Sequence, residues 1–246
     1  MGEIQSLFGV VEVENLSNSY PYLIYSKPNI RRLVTIFYNT KDPILSDDNL
    51  RLGLSFAAPS IKGEMEARTS LPTSSWAFNS DVKDYLDNSA MAKTYLNKVK
   101  SGRDSTITLT TTSNLKDVGE RVVEAWNKNG IKAVLRIESG IPQNFQALLI
   151  TQNIPVDPDQ YSLWHSTQVQ TNISRYSSPR VDKDLEDGRK STNLEERKAK
   201  YQDFQKTLLD HAPATFLYFP KYNVLYIEKV DSLLQKIIKL QLPELN

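Results

Sequence analysis

Two aspartates, Asp157 and Asp159, flank Pro158 in the segment NIPVDPDQYSLWHSTQ at 153–168, and Tyr161, Trp164 and His165 follow closely. Residues of these types serve metal ligation, proton transfer between carboxyls, or the aromatic wall of a binding cleft. Calcium fails on spacing. An EF-hand loop counted from Asp157 needs glycine at its sixth place and a bidentate glutamate at its twelfth, where this chain has Ser162 and Gln168. Zinc fails on ligand supply, because there is no cysteine and the two histidines, His165 and His211, lie far apart without an HExxH-like spacing. The sequence therefore predicts neither a metal site nor a cofactor.

Covalent catalysis finds no better footing, since no GxSxG elbow, SxxK pair or glycine-rich phosphate loop occurs. No nucleophile can be paired with a base, and an enzyme is not expected. Acid/base work by the two aspartates remains an alternative, but helix chemistry gives them a simpler use. Asp157 suits an N-cap, Pro158 the first helical position, and Asp159 the positive end of a helix. A strand-like run, FQALLITQN, leads into that helix start, and in open α/β sheets ligands bind beyond the carboxyl ends of strands. Trp164, Asn172 and Tyr176 could add stacking surface and hydrogen bonds there, although each alone is more often a core or turn residue.

Bulk properties narrow the partners. The 246 residues carry 30 basic and 29 acidic side chains, a formal net charge of +1, which gives no electrostatic footprint for nucleic acid or an anionic membrane. Hydrophobic residues make up 39%, as in an ordinary globular protein, and no run approaches the roughly 20 apolar residues that span a bilayer. The first residues, MGEIQSLFGVVEVEN, lack the basic start and apolar core of a secretory signal. The chain as written is then cytoplasmic or a piece of something longer.

Periodicity and turn residues supply the frame. The opening 30 residues read as loops with a short helix, and RRLVTIFYNT as a strand. A helix follows in SDDNLRLGLSFA, with Ser46 as N-cap and Leu50, Leu54 and Ala57 inward. Beyond an irregular stretch containing Pro72 and Trp76, DNSAMAKTYLNKV puts Ala92, Tyr95, Leu96 and Val99 on one helical face. STITLTTT, DVGERVVEAWNKN and IKAVLRIE form strand, helix and strand, with Val118, Val122 and Trp126 as the apolar stripe and Gly130 at the helix end. This is a βαβ unit with parallel strands. The last helix, TNLEERKAKYQDFQKTLLDHAP, has Thr192 and Glu195 as a capping box, Leu194, Tyr201, Phe204 and Leu208 inward, and Pro213 as its stop. ATFLYF and NVLYIEKV are strands. The fold class is α/β with a mixed sheet.

The order of these pieces resembles the family 5 extracellular solute-binding proteins, the peptide and oligopeptide receptors of ABC importers. FYNTKDPILSDDNLRLGLSFA carries Asn39, Arg51 and Leu54 in matching places. The segment from Val156 to Phe219 carries Asp157, Pro158, Asn172, Tyr176, Asp182, Arg197, Tyr201, Gln205 and Pro213. GEIQ at 2–5 is similar to the family's GEID, which makes Met1 look like an added start. The resemblance implies one lobe of a type II periplasmic-binding-protein fold, a mixed sheet with the βαβ unit flanked by helices. It also implies a receptor, secreted or lipid-anchored, that closes on an extended peptide or other small solute and hands it to a membrane permease. Family members are about twice this length. The chain is thereby expected to hold the approach to the hinge (1–30), the second, C-terminal lobe (31–212) and return strands toward the hinge and a missing first lobe (213–246).

The ligand-binding residues implied are Thr151, Gln152 and Asn153 at the strand end, Trp164 as a pocket wall, Asn172 for a peptide backbone, and Tyr218 from the hinge side. Two departures stand out. The aspartate that receives a peptide's α-ammonium group in this family is here Ile154, with Asn153 beside it, and Pro59 ends the arginine-bearing helix early. The alternative of a different class is a lobe without transport duty, serving as a protein-interaction or sensing module that presents its cleft face to another protein.

Overall fold

The computed structural model describes residues 5–10, 22–100, 102 and 104–241. Its centre is a six-stranded mixed sheet in the order β4-β8-β3-β7-β5-β6. The strands are β3 Arg32–Tyr38, β4 Met65–Glu66, β5 Ile107–Thr112, β6 Ala133–Glu138, β7 Ala147–Asn153 and β8 Ala214–Phe219. Since β3 is antiparallel to both β7 and β8, and β5 is parallel to β6 and β7, the last four long strands all run one way and β3 runs the other. Their carboxyl ends share one end of the sheet with Arg32.

Strand alternation splits the core into two layers. Val34, Ile36 and Tyr38 pack on helices α1 Asp48–Ala57, α2 Ser89–Leu96 and α3 Lys116–Lys128, while Leu33 and Phe37 pack on α5 Pro179–Lys190 and α6 Leu194–His211. The βαβ expectation holds: β5 and β6 are parallel, in register Ile107 to Ala133, with α3 between them. Gly130, at φ +80°, closes α3, with its own N–H donating to Asn127 O and the Ile131 N–H to Trp126 O. Ala58 is extended ahead of Pro59, so α1 stops where expected.

Several local expectations are corrected. Asp47, not Ser46, caps α1 by accepting from the Asn49 N–H. Asn193 caps α6, its Oδ1 accepting from both Glu195 and Glu196, and the Thr192–Glu195 box does not form. Leu194 shares the face of Tyr201 by period yet is 54% exposed, because no residue from 191 to 200 is buried and α6 starts beyond the packed layer.

The loops and short helix expected over the first 30 residues fall partly on residues 1–4 and 11–21, which lie outside the described residues. β1 Ser6–Phe8 and β2 Leu23–Pro28 are strands that flank β9 Lys221–Tyr226 in an antiparallel three-stranded sheet. Their hydrogen bonds come from a strand some two hundred positions away, which local pattern does not reveal. The strand expected through Val230 stops at Tyr226, and after a short turn α7 Asp231–Gln241 sets Leu234 against Val224 and Tyr226. The two sheets meet where the Asn29 N–H donates to Pro220 O at 2.8 Å. No helix among the described residues is long and apolar enough to cross a membrane.

Candidate functional site

β7 ends at the open end of the sheet, and the side chains there differ in freedom. Thr151 is half-buried, Asn153 is exposed in register with Arg32, and Ile154 is buried, its N–H donating to Arg31 O at 2.8 Å. Gln152 is buried: its Nε2 donates to Thr35 Oγ1 at 3.1 Å, and its Oε1 has no partner. Tyr218 reaches the same end on β8, in register with Val34 and Glu66. Burial pushes its hydroxyl pKa up to about 12, the Glu64 carboxylate adds to the rise, and Arg121 opposes it.

The structure does not bring Trp164 and Asn172 to this end. Trp164 is fully buried, its ring 5.7 Å from Phe37 and 6.1 Å from Phe216, and its Nε1 donates to Gln160 Oε1 at 3.0 Å. It anchors the core and has no face left for a ligand. Asn172 brackets its own loop: its Nδ2 donates to Tyr176 O at 2.8 Å, and its Oδ1 accepts from Ser174 Oγ and the Tyr176 N–H. That loop touches Thr40, just past the far end of β3, where the Thr40 N–H donates to Ser174 O. With its hydrogen bonds spent locally, Asn172 is a turn residue at the opposite end of the sheet from Asn153.

The aspartates that opened the question are corrected too. The helix begins only at Tyr161, α4 Tyr161–Trp164, with Gln160 ahead of it making no side-chain cap bond. Asp157 instead accepts from the Asp159 N–H and Asp159 from the Tyr161 N–H, two successive turns of the kind aspartate favours. Each is also held by an arginine, Asp157 by Arg197 at 2.9 Å and Asp159 by Arg189 at 2.9 Å. Among the described residues no group of three or more His, Cys, Asp or Glu side chains is placed to hold a metal.

Residues missed by sequence reasoning complete this end. Thr112 closes β5, Ser113–Leu115 form a single tight turn into α3, and Thr112 Oγ1 lies 2.5 Å from Asn114 Oδ1. Glu138 closes β6 beside them, paired with Arg136 at 3.1 Å. The rule that ligands gather beyond strand carboxyl ends, applied to the βαβ unit as well as to β7, would have found them.

No family profile matches the chain. The oligopeptide-binding protein AppA of Bacillus subtilis (strain 168) is 24% identical over 235 residues, covering 80% of this chain and 43% of that protein. The structure of AppA from Bacillus subtilis with a nonapeptide superposes with a TM-score of 0.78 at 20% identity, over 92% of this chain and 52% of that one. The murein tripeptide binding protein MppA of Escherichia coli gives 0.77 at 22%, over 92% and 50%. NikZ from Campylobacter jejuni with Ni(L-His) gives 0.78 at 20%, over 92% and 52%. The chain has the fold of the family 5 solute-binding proteins. It spans about half the length of these relatives.

Within this solute-binding fold, the residues that carry the resemblance are mostly frame. Arg51 is buried and donates to Leu45 O, His211 O and Ala212 O, tying α1 to the end of α6. Gln205 donates to Ala77 O and accepts from Thr69 Oγ1 and the Asn79 N–H, fixing the irregular stretch across α6. Asp182 accepts from the Ser166 N–H and Oγ, holding the loop after Trp164. The pattern recognised in the sequence is therefore the pattern that holds the scaffold.

Proposed function

We propose that this chain is the second lobe of an extracytoplasmic receptor that binds a peptide or similar small solute and passes it to the permease of an ABC importer. The observation that carries this reading is the gathering of four strand carboxyl ends, with Thr151, Gln152, Asn153 and Tyr218, at one open end of the sheet beside the three-stranded sheet of β1, β9 and β2. Residues 31–212 with β8 form the lobe, and β1, β2 and β9 are its link toward a first lobe. Lipid anchoring of the full-length protein outside the cytoplasm belongs to the same reading.

One lobe supplies half of a closing cleft. Interfaces that bury most of a ligand need both sides, so the 246-residue chain alone binds peptides poorly while the full-length receptor binds them well. Native mass spectrometry of the full-length receptor should find co-purifying peptides, and calorimetry of this chain against a mixed peptide library should find no micromolar complex. A full-length receptor that carries no peptide by native mass spectrometry would overturn the peptide reading.

A further inference from the structure

Away from the strand carboxyl ends, at the opposite end of the sheet, lies a polar crevice of about 360 Å³. It opens on the face of β5 and β6 that the helices leave uncovered, where Val134 is 48% exposed. Its floor is Thr110, in register with Arg136 on one side and Leu148 on the other. The Thr110 side chain is fully buried and its hydroxyl has no hydrogen-bond partner. A buried hydroxyl left unpaired costs folding free energy, and Val would fill the same space without that cost.

Charges of both signs border this hydroxyl. The guanidinium of Arg136, whose Nε is paired with Glu138 Oε1 at 3.1 Å, reaches across β5 to the start of β7, where its Nη2 meets Asn144 O at a long 3.4 Å, so its Nη groups are the weakly held donors. At the same place Gln146 spans the crevice, its Oε1 accepting from the Thr108 N–H at 2.9 Å and its Nε2 lying 3.4 Å from Asp42 Oδ2. Asp42 Oδ1 is used by two backbone N–H groups of its own turn, so Oδ2 is the weakly held oxygen. The half-buried Phe145 adds an apolar wall. A guanidinium with weakly held Nη donors, a carboxylate oxygen with spare acceptor capacity and an orphan hydroxyl thus border the first residues of β7.

We propose that this crevice is a second binding site, for a small zwitterion of the α-amino-acid class, independent of the peptide-binding end. Arg136 receives the carboxylate, Asp42 Oδ2 the ammonium group, and Thr110 supplies the hydrogen bond that its own fold leaves unmade.

Titration of the isotope-labelled 246-residue chain with L-alanine and L-phenylalanine, followed by amide NMR, tests this directly. Saturable shifts are expected at Thr108, Thr110, Arg136 and Gln146, weakened about tenfold or more in Thr110→Val and in Arg136→Gln. Propionate and ethylamine, which carry one charge each, should give no saturable shifts. Absence of saturation with either amino acid, or equal binding by both variants, overturns the site. Equal binding of propionate or ethylamine overturns the zwitterion class. Arg136 is partly exposed, so Arg136→Gln keeps the test valid if the buried substitution fails to fold.

Discussion

The buried guanidinium of Arg51 donates to the carbonyl of His211 at 2.7 Å, and so a residue of α1 on one face of the sheet caps the end of α6 on the other. The same group holds Ala212 O and Leu45 O, carbonyls that have left helical or strand pairing. Arg51→Met should lower stability by roughly 3 kcal/mol or more, since several charge-assisted bonds go and their buried acceptors stay behind. Hydrogen exchange should quicken first at Leu208 and Leu209. Unchanged exchange there would show that the α6 terminus holds itself.

Trp126 is fully buried between α1 and the sheet, and its Nε1 donates to Leu54 O at 2.9 Å. Trp126→Ala should cost about 3–5 kcal/mol in chemical denaturation, the usual range for removing a large buried aromatic. A loss below about 1 kcal/mol would contradict its place in the core.

Burial holds the Asp184 carboxyl above its ordinary range, outweighing the Lys200 ammonium 3.4 Å away, and its Oδ2 has no partner. An acid whose folded pKa is raised binds its proton more tightly in the native state, so its ionisation costs stability as pH rises through that value. Asp184→Asn should therefore be more stable than wild type at neutral pH. The advantage should shrink as pH falls through the raised pKa toward the ordinary carboxylate range. Denaturant midpoints at neutral and mildly acidic pH measure both parts, and a variant less stable at neutral pH would mean that the Lys200 pairing dominates.

If the chain is one lobe of a peptide receptor, as proposed, the buried Ile154 offers nothing to a ligand ammonium group, and the nearby Asp157 and Asp159 are already held by arginines. A peptide should then bind about equally with a free or an acetylated amino terminus, while Ile154→Asp should favour the free form. If wild type prefers the free form tenfold, about 1.4 kcal/mol, an acidic partner stands elsewhere in the cleft.

What was legible in the sequence was whatever local period determines. Val122 and Trp126, Ala92 and Leu96, and Tyr201 and Phe204 all point inward as their spacing requires. Caps slipped by a residue, at Asp47 and Asn193, because neighbouring Ser, Thr, Asp and Asn compete for the same N–H groups. The site was half legible. Strand β7 was placed, so the position of Thr151 to Asn153 at its end was legible, but where Trp164 and Asn172 lie depends on how a loop folds back on β3 and β8. Aromatic type alone cannot separate a pocket wall from a core anchor, and nothing local shows that Asn172 spends its bonds on Tyr176 and Ser174.

The bond between Asn29 and Pro220 has a mechanical meaning. The chain passes between the six-stranded and three-stranded sheets twice, once on either side of this bond, and the two passages run side by side with the bond as a rung between them. Two parallel straps tied by a rung resist sliding and splaying but yield to twist about a single line.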